Sequence, residues 1–440
     1  MEIVIALVVV VVLMVVAAGK YNFHPFLSLL LAGIVMGFVG GLDESEITDT
    51  LMNGFGKTLG SIGVIIAFGT IIGAYLEKSG GAKTLANWAL KVIGKNRSVL
   101  AMNITGFIVS IPVYCDSGFI ILSSLNKAIS KKTKIPLVVL GVSLAAGLYA
   151  THVFVPPTPG PLAATAALDA DLGLVIMLGL VIAIPVSLVG FLWATFIENK
   201  IKIKTPEVLV DEPSAKKIPK TGLAFAPIIA PIVLIALKSI SNYPTHPFGE
   251  RTIAQVINFI GNPVIALFIG VFLAFNLKGK NTKESHLNWV TSGLKEAGII
   301  ILITGAGGAF GAILRAAGIG EIIGSSFSNL EIGLLLPFLV AAVLKTAQGS
   351  STVSIITTAA IIAPVLGSFG LDSSLGRALS VLSIGAGAMT VSHLNDSFFW
   401  VVAQFTEMDT ATALKSQTVA TLFQGLTGIS IIMIIGWLFL

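Results

Sequence analysis

Charge is scarce in this chain. Only 11% of its 440 residues are Asp, Glu, Lys or Arg, against about 25% in a soluble domain. With 55% hydrophobic residues and a mean hydropathy of +0.95, a globular enzyme on a single anchor is excluded. The chain reads as an all-α polytopic membrane protein. Cysteine is scarcer still. Cys115 stands alone, which rules out an intrachain disulfide and says little about compartment. No metal-ligand spacing, nucleophile elbow or phosphate loop occurs, so neither metal nor cofactor is expected. No ATP-binding domain is present to drive a primary pump. The first residues lack a basic stretch and a small-residue cleavage site, so Ile3 to Ala18 reads as a retained span and not as a signal peptide. The net charge of +5 does not point to nucleic acid. The basic residues fall in loops between apolar runs, where topology explains them.

What the chain has in quantity is apolar length and glycine. The 46 glycines suit close helix packing in lipid. Runs of spanning length fall at 2–18, 25–40, 58–76, 173–197, 222–240, 253–277, 298–316 and 417–440. Two further runs, 137–168 and 376–405, are interrupted. Two others, 98–130 and 332–366, carry polar tips: Cys115-Asp116-Ser117-Gly118 and Gln348-Gly349-Ser350-Ser351-Thr352. Their arms are short for full spans. They read as re-entrant hairpins, because irregular backbone at depth must line a cavity or be buried in protein; two ordinary short spans joined by a loop is the other reading. With the N-terminus outside, the inside segments 19–24, 77–97, 127–135, 198–221, 278–297 and 405–416 hold 21 of the 27 Lys and Arg residues. The outside loop 41–50 has four acids and no base. That bias follows the positive-inside rule.

The stretch Thr151 to Pro161, Thr-His-Val-Phe-Val-Pro-Pro-Thr-Pro-Gly-Pro, organises the rest. Four prolines and a glycine in eleven residues cannot continue a helix. A helix broken inside a membrane, with Thr151 and His152 at the break, is a binding-site candidate. The pattern returns: Gly69 to Gly80 aligns with Gly307 to Gly318 at an offset of 238 residues. The same offset brings the Asp116 tip close to the Ser350 tip, and the His152 break close to Ser392-His393-Leu394-Asn395-Asp396-Ser397. Five crossings per half make the second half inverted. The expected organisation is an N-terminal repeat (1–197), a polar cytoplasmic linker (198–221) and an inverted C-terminal repeat (222–440), each repeat with a hairpin and a broken helix. Such repeats meeting at the midplane mark transporters.

Several residues carry chemistry, each with a plainer alternative. Asp116 is a carboxyl at depth, where desolvation penalises its charge. It is a candidate for the coupling proton, or else an N-cap for an arm starting at Phe119. Lys345 precedes the second tip and is placed to meet a substrate carboxylate, with backbone N–H groups and hydroxyls from Gly349 to Thr352 beside it. Its alternative is a structural ion pair with Asp396 or Asp116. His152 and His393 stand at the two breaks as proton relays or as structural hydrogen-bonders. Asn395 and Asp396 add polar groups at the second break, and Asp396 is the second proton candidate. Thr158 joins the substrate set from the first break. Asp169 and Asp171 read as solvated. Gly305, Gly307, Gly308 and Gly311 have no preceding strand and no acidic partner, so they read as close packing and not as a dinucleotide loop.

These residues resemble the gluconate permease family, the GntP-type proton symporters. The resemblance covers nearly the whole chain. It runs through Gly54-Phe-Gly-Lys-Thr-Leu-Gly-Ser-Ile-Gly63, Ser79-Gly-Gly-Ala82, the Thr151 to Pro161 motif and Ala347-Gln-Gly-Ser-Ser-Thr-Val353, of which the proline-rich motif is the most specific. It implies proton-coupled uptake of gluconate or a related small hydroxy acid across the bacterial cytoplasmic membrane, by a protein that is often dimeric. The implied partners are the substrate, protons, the lipid bilayer and a second copy of the chain. One departure bears on the substrate. Gluconate-type members carry glutamate and a small apolar residue where this chain has Asp116 and Ser117, so D-serine, D-glycerate and hydroxybutyrate stand beside gluconate. Two other classes compete. An intramembrane enzyme using His152, Asp116 or His393 should show an asymmetric cluster, whereas the polar elements here come in pairs. A passive channel would not accumulate its solute.

Overall fold

In lipid a spanning segment must satisfy its own backbone, which a helix does. Every regular element among the described residues is helical. The computed structural model describes residues 2–21, 23–94, 97–198, 218–242, 247–248, 252–278, 285–318, 333–394 and 396–440. Most of the expected linker lies outside them.

The first nine helices are α1 (Glu2–Tyr21), α2 (Pro25–Val39), α3 (Glu44–Ser79), α4 (Gly81–Ile93), α5 (Ser98–Val109), α6 (Cys115–Thr133), α7 (Leu137–Phe154), α8 (Pro159–Ala167) and α9 (Leu172–Glu198). Among the described residues there follow α10 (Thr221–Ser241), α11 (Thr252–Ile260), α12 (Pro263–Phe275), α13 (His286–Ala316), α14 (Leu335–Gln348), α15 (Ser351–Ile362), α16 (Ser374–Met389), α17 (Ser397–Phe405) and α18 (Thr410–Phe439). A 3₁₀ segment, Ala363–Phe369, prolongs α15, and α18 contains a π-helical stretch, Leu414–Thr418. Among the described residues, seven helical segments are long and apolar enough to cross a membrane, or eight if α11 and α12 count as one bent span.

Local chemistry sets the ends. Asp43 caps α3, accepting from Glu46 N at 2.7 Å. That bond and the Ser45 hydroxyl hold its carboxyl below the usual range. The run 253–277 was expected as one span, but Gly261, Asn262 and Pro263 divide it. Asn262 caps α12 through Val264 N at 3.0 Å, and the two pieces meet at 64°. Helix α4 was not expected at all. It lies within the basic inside segment and packs Leu85, Ala86 and Ala89 inward. The Thr84 hydroxyl donates to Pro219 O at 3.0 Å, which fastens the far end of the linker to α4.

Both polar-tipped segments are helical hairpins. Their first arms are short, 12 residues in α5 and 14 in α14, about 18–21 Å at 1.5 Å per residue against a hydrocarbon core of about 30 Å. The second arms are not as short as expected, since α6 has 19 residues and Ser351–Phe369 is long enough to cross. The broken helices α7–α8 and α16–α17 run beside them, and all of α7 is buried. Helix spacing repeats along the chain. Pro159–Ala167 and Ser397–Phe405 are 238 residues apart, as are the acids Asp171 and Asp409 that cap α9 and α18. The contacts repeat as well. Helix α5 packs on α7 as α14 does on α16, and α7 on α9 as α16 does on α18. Across the halves α8 meets α15 while α17 meets α6, and equivalent helices meet directly in α3–α13, α7–α16 and α9–α18. The glycine-rich faces of α3 and α13 do pack closely: a Cβ on Gly54 would lie 2.9 Å from Gly308 O.

Candidate functional site

The polar residues collect where the hairpin tips and the second break converge. Lys345, in the last turn of α14, has no exposed surface. Its ammonium donates to Asp396 Oδ2 at 2.7 Å and to Gly349 O at 2.6 Å. Gly349 takes a left-handed conformation, φ +83°, that glycine adopts without strain, and its N–H closes on Lys345 O at 2.8 Å. The second tip is therefore folded around the lysine. Of the two alternatives for Lys345, the ion pair with Asp396 is present.

Asp396 is the N-cap of α17. Its Oδ1 accepts from Phe398 N at 3.0 Å, and its Oδ2 takes the Ser392 hydroxyl as well as Lys345. The break itself is held by α18. Ser392 N donates to Thr421 Oγ1 at 2.9 Å, and the Thr418 hydroxyl donates to Ser392 O at 2.6 Å. His393 contacts Thr346 O through Nε2 at 2.9 Å, tying the break to the second hairpin. Removing one member of a buried pair costs about 3–5 kcal/mol, because the other charge is left uncompensated.

Asp116 lies in the first turn of α6. It does not cap that helix: α6 begins at Cys115, its N-cap position is Tyr114, and no side chain caps it. The N-cap alternative is thereby overturned, along with the expected start at Phe119. Asp116 Oδ2 accepts from the Ser397 hydroxyl at 3.2 Å, across from the first half to the second. Its Oδ1 is buried without a hydrogen-bond partner. Asp396 and Lys345 are both within electrostatic reach of Asp116, and Asp396 is within reach of His152. Ser117 is half-buried in the same turn, and Gly118 is buried against Leu148.

His152 is buried in the last turn of α7, its ring 6.0 Å from that of Tyr114 and 6.5 Å from that of Tyr149. Thr151 turns its hydroxyl back on Gly147 O and Leu148 O of its own helix, and Thr158 donates to Val155 O at 2.7 Å. Both hydroxyls are spent locally. The prolines of the first break, Pro156 and Pro157, face an apolar pocket with Pro227 and Pro231 of α10. Ser350 caps α15 through Val353 N at 3.3 Å, and Ser351 lies beside the Tyr149 hydroxyl. Thr352 is half-buried opposite Gly160 of α8. The Gln348 side chain and Asn395 lie outside the described residues.

The sequence missed Tyr114, Tyr149, Ser392 and Ser397. Tyr114, Ser392 and Ser397 border motifs that were singled out, so adjacency was the available signal. Tyr149 stands in an unbroken apolar helix and gave none. The elements repeat but the residues of the polar cluster do not. At the 238-residue offset Asp116 maps to Ser354, Lys345 to Phe107, His152 to Thr390 and Asp396 to Thr158. The pairing of His152 with His393, and the expectation that the polar groups are duplicated, are corrected by that register. Asp169 and Asp171 are exposed, as expected, but engaged. Asp169 pairs with Arg377 at 2.9 Å, and Asp171 accepts from Ser239 at 2.8 Å as well as capping α9.

Comparison with known proteins bears on the class of this site. The model of the GntP family permeases matches residues 1–438. A gluconate permease of Pseudomonas aeruginosa is 33% identical, over 97% of this chain and 96% of its own. The D-serine transporter DsdX of Escherichia coli K12 is also 33% identical, over 94% of each chain. Among solved structures, Neisseria gonorrhoeae MtrF superposes with a TM-score of 0.70 at 16% identity, covering 96% of both chains. That last likeness concerns the fold.

Proposed function

This chain belongs to the GntP family of permeases, and from that premise we propose that it is a secondary active transporter taking up gluconate or a related small hydroxy monocarboxylate together with protons. Membership makes it a multi-pass membrane transporter and not an enzyme. The observation that carries the finer reading is the polar cluster within the helical bundle. There a neutralised pair, Lys345–Asp396, sits beside an acid, Asp116, that has one free oxygen.

In this reading the substrate carboxylate lies at the second tip. Ser350, Ser351 and Thr352 open α15 there, and the N-terminal end of a helix favours an anion. Lys345 acts by positioning: it folds the tip and ties it to Asp396. Asp116 takes the coupling proton, since a substrate anion entering beside an ionised carboxylate would be repelled unless that group is neutralised. The two halves, 1–197 and 222–440, are inverted about the midplane, and the linker 198–221 is cytoplasmic. The exchange of contacts between equivalent helices supports a two-fold relation between the halves, and the placing of Lys and Arg supports the orientation. The homodimer implied by the family resemblance belongs to the same proposal.

The test is uptake of labelled gluconate into proteoliposomes under an inward proton gradient, with and without an uncoupler. Accumulation that the uncoupler abolishes supports a proton-coupled carrier. Equilibration without accumulation would make it a channel or facilitator. D-serine is the second reading, because DsdX is as similar as the P. aeruginosa gluconate permease. Competition by unlabelled D-serine in the same assay decides between them.

A further inference from the structure

Three polar atoms near the first tip are buried and have no hydrogen-bond partner among the described residues: Tyr114 Oη, Asp116 Oδ1 and His152 Nδ1. Tyr114 and Asp116 are two residues apart at the start of α6, and the Tyr114 and His152 rings are 6.0 Å apart. A buried polar group without a partner costs about 1–3 kcal/mol, and such groups are few in native proteins. Tyr114 and Asp116 open α6 and His152 ends α7, with the Tyr114 and His152 rings close together, so one explanation can serve all three.

We propose that Tyr114, Asp116 and His152 form a subsite for the hydrogen-bond-donating end of the transported solute, its hydroxyl or ammonium groups. The proposal rests on the reading that this cluster binds the solute, and it adds which end binds where. The chemistry of the three atoms sets the ligand class. The unpaired oxygen of a carboxyl accepts whether or not the other oxygen carries the coupling proton, a phenol both accepts and donates, and an imidazole nitrogen does one or the other by tautomer. The nearby cation, Lys345, is already engaged by Asp396 and Gly349 O, so among the described residues no free cation stands here to hold a second carboxylate or a phosphate on the solute, and an alkyl end would leave all three atoms unpaired. Donors satisfy them. The position fits as well. Tyr149 stacks on His152 and has Ser351 beside its hydroxyl, so one aromatic ring separates this subsite from the second tip, where the carboxylate is placed.

The experiment measures binding of D-glycerate, D-serine and propionate to the purified full-length protein and to Tyr114→Phe, which removes one hydroxyl and keeps the ring. These three acids share a three-carbon skeleton and differ in their hydroxyl and amino groups. D-gluconate serves as the longer hydroxy acid. The wild type should prefer a donor-bearing acid to propionate by about tenfold or more, the scale of one or two buried hydrogen bonds. Tyr114→Phe should shrink that preference about tenfold while propionate binds as before. A preference for D-serine over D-glycerate assigns the ammonium, and the reverse assigns the hydroxyl. An unchanged preference in Tyr114→Phe, or equal loss for all acids, overturns the subsite. If the wild type binds none of the four acids, the transport reading itself fails and the subsite falls with it.

Discussion

At the scale of single residues, two acids share the centre and differ in how they are held. Asp396 is bound by a lysine, a serine hydroxyl and a backbone N–H. Asp116 has one serine contact and one free oxygen. A group that must gain and lose a proton in each cycle has to be exchangeable, and of the two acids Asp116, with fewer partners, is the one proposed for that role. Asp116→Asn mimics the protonated acid. It should abolish accumulation driven by a pH gradient and spare exchange of solute between the two sides. Normal pH-driven accumulation by that variant would return the role to Asp396, whose Asn variant should then show the uncoupled pattern. Lys345 makes a separate prediction. Lys345→Ala leaves Asp396 buried and unpaired and should cost about 3–5 kcal/mol in thermal unfolding of the purified protein. Replacing both, with Lys345→Met and Asp396→Leu, should recover most of that stability without recovering transport. Full recovery of both would mean the pair is only structural. Lys345 was legible in sequence as a cation outside the loops, but which acid it met was not. Partner choice depends on how two segments 51 residues apart cross, and no local pattern encodes that.

At the scale of elements, the turns after the broken helices carry matched acids. Asp169 follows α8 and Glu407 follows α17, 238 residues apart, both with positive φ, at +51° and +59°. Asp169 pairs with Arg377 of α16, and Glu407 pairs with Lys127 of α6, each at 2.9 Å. Each pair joins a broken helix of one half to an element of the other. Such exposed pairs contribute about 0.2–1 kcal/mol, too little to hold moving bodies together alone. They lie on surfaces already packed as α6–α17 and α8–α16. The expectation is that hairpins and broken helices travel as one block during transport. Cysteines at 127 and 407, joined by a short bifunctional thiol reagent in a Cys115→Ala background, should leave uptake near the uncross-linked rate. Arrest of uptake on cross-linking would show that these surfaces part. Hairpins and breaks were readable because proline, glycine and polar tips interrupt apolar runs. Helix α4 was not, because its lysines Lys83 and Lys91 made a packed amphipathic helix look like a loop.

At the scale of the whole molecule, the contact pattern survives exchange of the halves: α2 packs on α13 as α12 does on α3, and α8 on α15 as α17 does on α6. A reciprocal pattern of that kind is what a two-fold relation between halves produces. The sequence revealed the repeat through element order and a few glycines, because packing geometry constrains where helices start, bend and end. It concealed the asymmetry of the site, because the side chains at the centre differ between the halves at the 238-residue register. Whether the two-fold lies in the membrane plane is a question of topology, and it has a direct measurement. If the halves are inverted, the first hairpin enters from inside and the second from outside. Lys132, at the end of the first hairpin, and Asp372, after the second, are both exposed. Single cysteines at these positions in a Cys115→Ala background should therefore label from opposite faces. A membrane-impermeant thiol reagent should modify Asp372→Cys in intact cells and Lys132→Cys only in inverted vesicles. Labelling of both from one face would place the two hairpins on the same side. The reciprocal contacts would then need an axis along the membrane normal, and the two tips would open to one compartment instead of forming a site reached alternately from each.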